Sequence, residues 1–171
     1  MRRRGARTLA AALLLAATAG CRKAPEWPPP PAPVHLGEDA CAECRMLVSE
    51  KAFGAQAQDR AGKVRHFDDL GCLLVHARAQ AAGGAPVDPA GVYARALGDG
   101  TWIPATSAWV VRSEAIHSPM GYGLAAFASR EAAQAEAGRA GHAARTSSLA
   151  ELLAGGSQDF AQPGAARRPS P

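Results

Sequence analysis

Apolar and polar residues alternate through the second half of the stretch from Met46 to Asp59, with Gly54 as a kink, and alternate again from Lys63 to Phe67. A period of two places successive side chains on opposite faces of an extended chain, so both stretches predict strands. Ala61-Gly62 between them supplies a turn, and the pair reads as a hairpin. The period then changes. Leu70, Leu73, Leu74 and Ala77 fall on one helical face; Asp68 or Asp69 can cap its start, and Gly83-Gly84 stops it after about Ala82. Cys72 lies on this apolar stretch and reads as a buried structural thiol.

A similar order follows. Val92 to Leu97 predicts a strand turned by Asp99-Gly100, and the apolar segment from Trp102 to Val111 contains Pro104, which fits an edge strand or a break. Gly121 to Ala128 predicts another strand. Ser129 caps a helix beginning at Arg130, with Glu131 in its first turn, and Ser148 to Leu153 forms a last helix. The pattern predicts an α+β fold of two small, similar lobes of strand-strand-helix type, about 39–84 and 91–141, within a body spanning 35–155.

The flanks differ in character. Arg2, Arg3, Arg4 and Arg7 precede an apolar run from Leu9 to Ala17 and the sequence Thr18-Ala-Gly-Cys21. A charged start, a short apolar run and small residues before a cysteine predict a signal peptide over 1–20, with Cys21 becoming the lipidated first residue. Prolines at 25, 28, 29, 30, 31 and 33 make 21–34 a polyproline spacer, and residues 156–171 read as a disordered tail. The four signal arginines account for the whole net charge of +4: without them 15 basic residues face 15 acidic ones, so the charge gives no reason to expect nucleic acid.

With Cys21 committed to lipid, Cys41, Cys44 and Cys72 remain, an odd number for an exported chain and a poor disulfide framework. Cys41-Ala-Glu-Cys44-Arg-Met46 places two thiols and a thioether within six positions. If Cys44 and Met46 lie on a strand they share a face, and thiolate with thioether selects Cu(I), because soft sulfur matches a soft monovalent ion. Cu(I) accepts two or three donors. Met120 in His117-Ser-Pro-Met-Gly-Tyr122 is the best third candidate, with His117 and Cys41 as accessory donors. His35, His66 and His142 fit linker, strand and helix surface better than ligation.

Two other chemistries fit the same residues. Cys41, Cys44, Cys72 and His76 could form a structural zinc site in an interaction module, although Met46 then has no role. Cys41 and Cys44 could exchange disulfides, although no strand-to-helix junction activates the first thiol. No G-x-S-x-G, Walker or H-E-x-x-H arrangement occurs, and the chain reads as a protein without enzymatic activity.

Taken together, Cys41-x-x-Cys44-x-Met46, Ala55-Gln56, Phe67-Asp68-Asp69-x-Gly71-Cys72, Trp102-Ile103, Pro119-Met120-Gly121 and Ala126-Phe127 resemble the NosL family of copper-binding lipoproteins from about Asp39 to Glu136. The resemblance implies a two-lobed α+β fold related to organomercurial lyase. It implies a Cu(I) chaperone that supplies the maturing copper centres of nitrous oxide reductase alongside a membrane ABC-type assembly complex. It also implies that Cys44, Met46 and Met120 hold the metal. The anchored protein would face the periplasm, and Arg22 after the lipidated cysteine favours the outer membrane. Two departures stand out: Arg45 where the family often has glycine, and Pro104 where an aspartate commonly follows the Trp-Ile pair.

Overall fold

The computed structural model describes residues 26–155 and Phe160. The hairpin forms as its alternation requires: β1 (Ala55–Gln58) pairs antiparallel with β2 (Val64–Phe67), Ala55 opposite Phe67 and Gln58 opposite Val64. α1 (Leu70–Ala82) follows, its first turn capped by the Asp69 carboxylate, which accepts from the Gly71 N–H at 2.8 Å. The residues on its apolar face, Leu70, Leu73, Leu74 and Ala77, are all buried, together with Cys72.

β3 (Val92–Arg95) returns to lie against β1, and β4 (Trp102–Pro104) closes the sheet in the order β2-β1-β3-β4. Pro104 therefore ends an edge strand, where its missing N–H leaves no ladder bond unmade. The second sheet is built from β5 (Trp109–Arg112), β6 (Leu124–Phe127) and β7 (Arg145–Ser148) in the order β6-β5-β7. α2 (Arg130–Ala140) packs on β5, β6 and β7, and α3 (Leu149–Leu153) packs on α1. The fold is thus mixed α+β with two antiparallel sheets and three helices.

Strand pairing divides the chain differently from the expected lobes of 39–84 and 91–141, because β3 and β4 hydrogen-bond to the first sheet. The lobes are also not separate bodies. Val110, Leu124 and Ala126 of the second sheet share one core with Phe67, Leu73, Val92 and Leu149. Intervening Val111 and Ala125 face a smaller cluster with Phe53, Ile116 and Ala133 of α2. This alternation gives the second sheet two buried faces. A bridge from Ala96 to Ala126 and a bond from Leu97 N–H to the Ala126 carbonyl, 2.9 Å, join the sheets.

Two sequence expectations need correction. Residues 46–54 form no strand: Lys51–Phe53 is a single 3₁₀ turn and β1 starts only at Ala55. The proline-rich segment, within the described residues, is not a free spacer. Its carbonyls accept hydrogen bonds from side chains on the outer face of the first sheet: Tyr93 Oη to Pro29, Gln58 Nε2 to Pro30 at 2.9 Å, and Gln56 Nε2 to Ala32 at 3.4 Å. Ala32 N–H donates back to Gln56 Oε1 at 3.1 Å. Prolines retain a carbonyl acceptor but lack a donor, so a row of side-chain donors is the matching surface. The Trp27 ring closes this strap, resting against Gly91 and under the Arg60 guanidinium, which lies 4.6 Å from the ring centroid. A Cβ at Gly91 would come within 2.6 Å of the Trp27 ring and 2.3 Å of the Gln58 carbonyl oxygen, so the close approach depends on glycine.

No helix among the described residues is long and apolar enough to cross a membrane. The expected signal peptide, the expected lipidation at Cys21 and the expected tail from 156 lie outside the described residues, Phe160 excepted.

Candidate metal centre

The loop from Cys41 to Met46 closes on itself. Cys41 N–H donates to the Met46 carbonyl at 2.7 Å, Arg45 N–H donates to the Cys41 carbonyl at 3.1 Å, and a bridge between Ala40 and Leu47 holds its base. Ala42 N–H donates to the His66 carbonyl at 2.8 Å, which pins the loop to β2. Arg45 takes a left-handed conformation, φ +67°. Cys44 therefore sits in a tight turn and not on a strand, and the shared strand face proposed for Cys44 and Met46 does not exist. The left-handed residue explains why glycine suits this position: an L side chain there meets the following carbonyl.

The turn brings Cys41 and Cys44 to the first turn of α1, where Cys72 meets them. The three Sγ atoms lie within 4.8 Å of one another. Cys41 and Cys72 are buried, Cys44 is half-buried, and all three are free thiols. Cys72 is thus more than the structural core thiol expected from its apolar helix face. The face did place it inward; what the sequence could not show is that the inward side is lined by Cys41 and Cys44.

The three sulfurs are electrostatically unequal. Cys41 is held down to about 5, first by the Cys72 thiol that donates to it, with the backbone N–H groups of Asp68, Cys44 and Glu43 adding to this against the cost of burial. Cys72 is pushed up, because its proton is committed to the Cys41 sulfur and its site is buried. Burial raises Cys44 as well, and the neighbouring Cys41 adds to it. The shared proton favours ionisation at Cys41 over its two neighbours, which makes a soft, electron-rich cluster with Cys44 as its accessible member.

Asp68 and Asp69 organise the walls. Asp68 Oδ1 accepts from Ser49 N–H at 2.7 Å and Ser49 Oγ at 3.2 Å, fastening the chain that leaves the Cys41–Met46 loop. Asp69 Oδ1 caps α1, and its Oδ2 accepts from the Met120 N–H at 3.0 Å. Burial raises the Asp69 carboxyl, while Ser118 and the Gly71 and Met120 N–H groups oppose that shift. Tyr122 packs directly on Gly71: a Cβ there would fall 1.9 Å from the ring's Cγ. Burial pushes the Tyr122 hydroxyl up to about 12, helped by the neighbouring Asp69 and Glu43 carboxylates. Tyr122 and Asp69 were not singled out from the sequence as site residues.

The remaining candidates are spread out. Met120 packs against the core cluster that contains Cys41 and Cys72. Met46 is 60% exposed, on the loop that carries Cys44. His117 is exposed and its Nδ1 lies 3.1 Å from the carbonyl of Ala115, within its own turn. His76, the fourth donor of a zinc set, has Nδ1 3.5 Å from Glu43 Oε2 and its ring 5.3 Å from that of Phe67, and it is not a member of the sulfur cluster. His35 and His66 approach Asp39 at 3.6 and 3.9 Å.

A family model named NosL matches residues 33–151, most of the chain and all of the site. The chain belongs to the NosL family. Among solved structures, the copper chaperone NosL from Shewanella denitrificans is similar at 20% identity and a TM-score of 0.48, over 69% of this chain and 93% of that one. No curated protein matches. Within this NosL protein, the motif segments Cys41–Met46, Phe67–Cys72 and Pro119–Gly121 are far apart in sequence yet form one site, joined by Asp69 and by the convergence of three sulfurs.

Proposed function

We propose that this NosL protein is a Cu(I) carrier without enzymatic activity, which takes the ion at the Cys41–Cys44–Cys72 cluster and passes it on through the half-exposed Cys44. The observation that carries the reading is the convergence of three sulfurs within 4.8 Å, beside two methionine-bearing loops. Thiolate and thioether donors match a soft monovalent ion, and exchangeable donors let a carrier release it. Met120 and exposed Met46 are the thioether donors of this reading, Met46 being placed to meet an incoming partner. His117 is not needed.

In the wider reading the protein is lipidated at Cys21, faces the periplasm from the outer membrane, and delivers copper to maturing nitrous oxide reductase with a membrane ABC-type complex. Family membership and the lipoprotein-like start of the chain support this. Titration with Cu(I) against a competing chelator tests the core of it: one ion per chain is expected, with Cys41→Ser, Cys44→Ser or Cys72→Ser each weakening binding by at least roughly tenfold, or about 1.4 kcal/mol. Unchanged affinity in all three variants would refute it.

A second reading, thiol–disulfide exchange, is favoured by the lowered Cys41 thiol, whose sulfur lies within 4.8 Å of two others. Insulin reduction separates the two. Turnover that depends on Cys41 and Cys44, with no copper affinity lost in Met46→Ala and Met120→Ala, would favour the redox role.

A further inference from the structure

Asp69 does two jobs with two oxygens. Oδ1 accepts the Gly71 N–H and starts the helix that carries Cys72, and Oδ2 accepts the Met120 N–H from a loop 51 residues further along the chain. Ser118 Oγ bonds the Gly123 N–H at 3.1 Å and also hydrogen-bonds Asp69, so the loop is held at both ends. The carboxylate is fully buried. Burying an acid that serves only as a helix cap is costly, since serine or asparagine would cap equally well at a smaller desolvation cost. What those residues cannot do is accept from two backbone N–H groups through two separate oxygens.

We infer that Asp69 is a positioning residue that sets the thioether of Met120 over the sulfur cluster by fixing the Met120 backbone to the first turn of α1. The inference rests on the copper reading and adds to it a device that couples one ligand loop to the helix of another. Asp69 itself contacts no metal in this scheme.

Asp69→Asn separates the two jobs. The amide oxygen keeps the cap to Gly71, while the amide nitrogen opposes the Met120 N–H donor to donor. Full-chain protein without its lipid is titrated with Cu(I) against a chelator for wild type, Asp69→Asn, Met120→Ala and the double variant. Each single variant is expected to weaken binding roughly tenfold, and the double variant no more than the weaker-binding single one, because both remove the same thioether. X-ray absorption should show one sulfur neighbour fewer in Asp69→Asn. Met120→Ala weakening while Asp69→Asn binds as wild type would overturn the positioning role and leave the copper reading standing. An unaltered Met120→Ala would overturn the inference together with Met120 as a ligand, with Cys44→Ser then testing copper binding on its own. Amide exchange guards against a folding defect: in wild type the Met120 N–H should be protected, and in Asp69→Asn it alone should accelerate, with α1 unchanged. An unprotected wild-type Met120 N–H would refute the inference outright.

Discussion

Gly71→Ala should destabilise the protein although alanine is the better helix former. Removing the extra backbone freedom of glycine favours the helix by about 0.5–1 kcal/mol. The new methyl, however, would stand 1.9, 2.2 and 2.3 Å from Cγ, Cδ2 and Cδ1 of Tyr122. Carbon atoms rest at about 3.5–4.0 Å, so the ring must retreat by roughly 1.5 Å, and Cγ is the root of the ring and cannot swing aside on its own. Overpacking of this kind costs about 1–3 kcal/mol, with more lost if the ring leaves its site. The net expectation is a loss of about 1–2 kcal/mol, read as a lower urea midpoint at unchanged slope and a melting temperature lower by on the order of 5 °C. A second variant isolates the cause. In a Tyr122→Ala background the same Gly71→Ala change should be neutral or stabilising, a coupling of about 1 kcal/mol or more. Equal or greater stability of Gly71→Ala in the wild-type background would refute the close packing of Tyr122 on α1.

Four further outcomes can be measured. Thiolate absorbance in the metal-free protein should show one ionised cysteine per chain at pH 7, lost as pH falls through about 5 and absent in Cys41→Ser. The same group sets a pH trend: an acid held below its ordinary value favours the folded state increasingly from about pH 5 up to about 9, so its contribution to urea stability should rise across that window and vanish below it. Arg45→Gly should stabilise the protein by about 1 kcal/mol in a urea melt, relieving the left-handed backbone at φ +67°, and Tyr93→Phe should lower stability by about 1 kcal/mol by leaving the Pro29 carbonyl without its donor.

Local chemistry carried much of the fold into the sequence. The Asp69 cap, the four-residue apolar face of α1 and the Gly83 stop needed only neighbours a few positions away, and all form as expected. The β1–β2 hairpin was legible for the same reason. β7 was not: Arg145-Thr-Ser-Ser148 has no apolar alternation and owes its extension to pairing with β5. The sulfur ligands were legible as a set, yet not their geometry. A left-handed arginine leaves no mark in a single sequence, so the Cys44 turn read as a strand and Cys41 looked secondary, whereas Cys41 is a buried member of the three-sulfur cluster. Cys72 and the two-oxygen role of Asp69 depend on contacts across the chain that no local period encodes.

The docked strap changes the reach of the protein. Read as a free spacer, Arg22 to Pro33 would extend about 37 Å from a lipid on Cys21 at roughly 3.1 Å per residue. In the proposed lipidated form, with the chain captured on the sheet from Trp27 onward, the fully extended reach between the lipid and Trp27 is at most about 20 Å. Halving a tether cuts the volume its cargo sweeps roughly eightfold and raises the effective concentration seen by anything fixed in the same membrane by a similar factor. In the proposed lipid-anchored carrier, hydrogen bonds from Tyr93, Gln58 and Gln56 would thus act on delivery at a distance, keeping the sulfur cluster in a thin layer above the lipid surface.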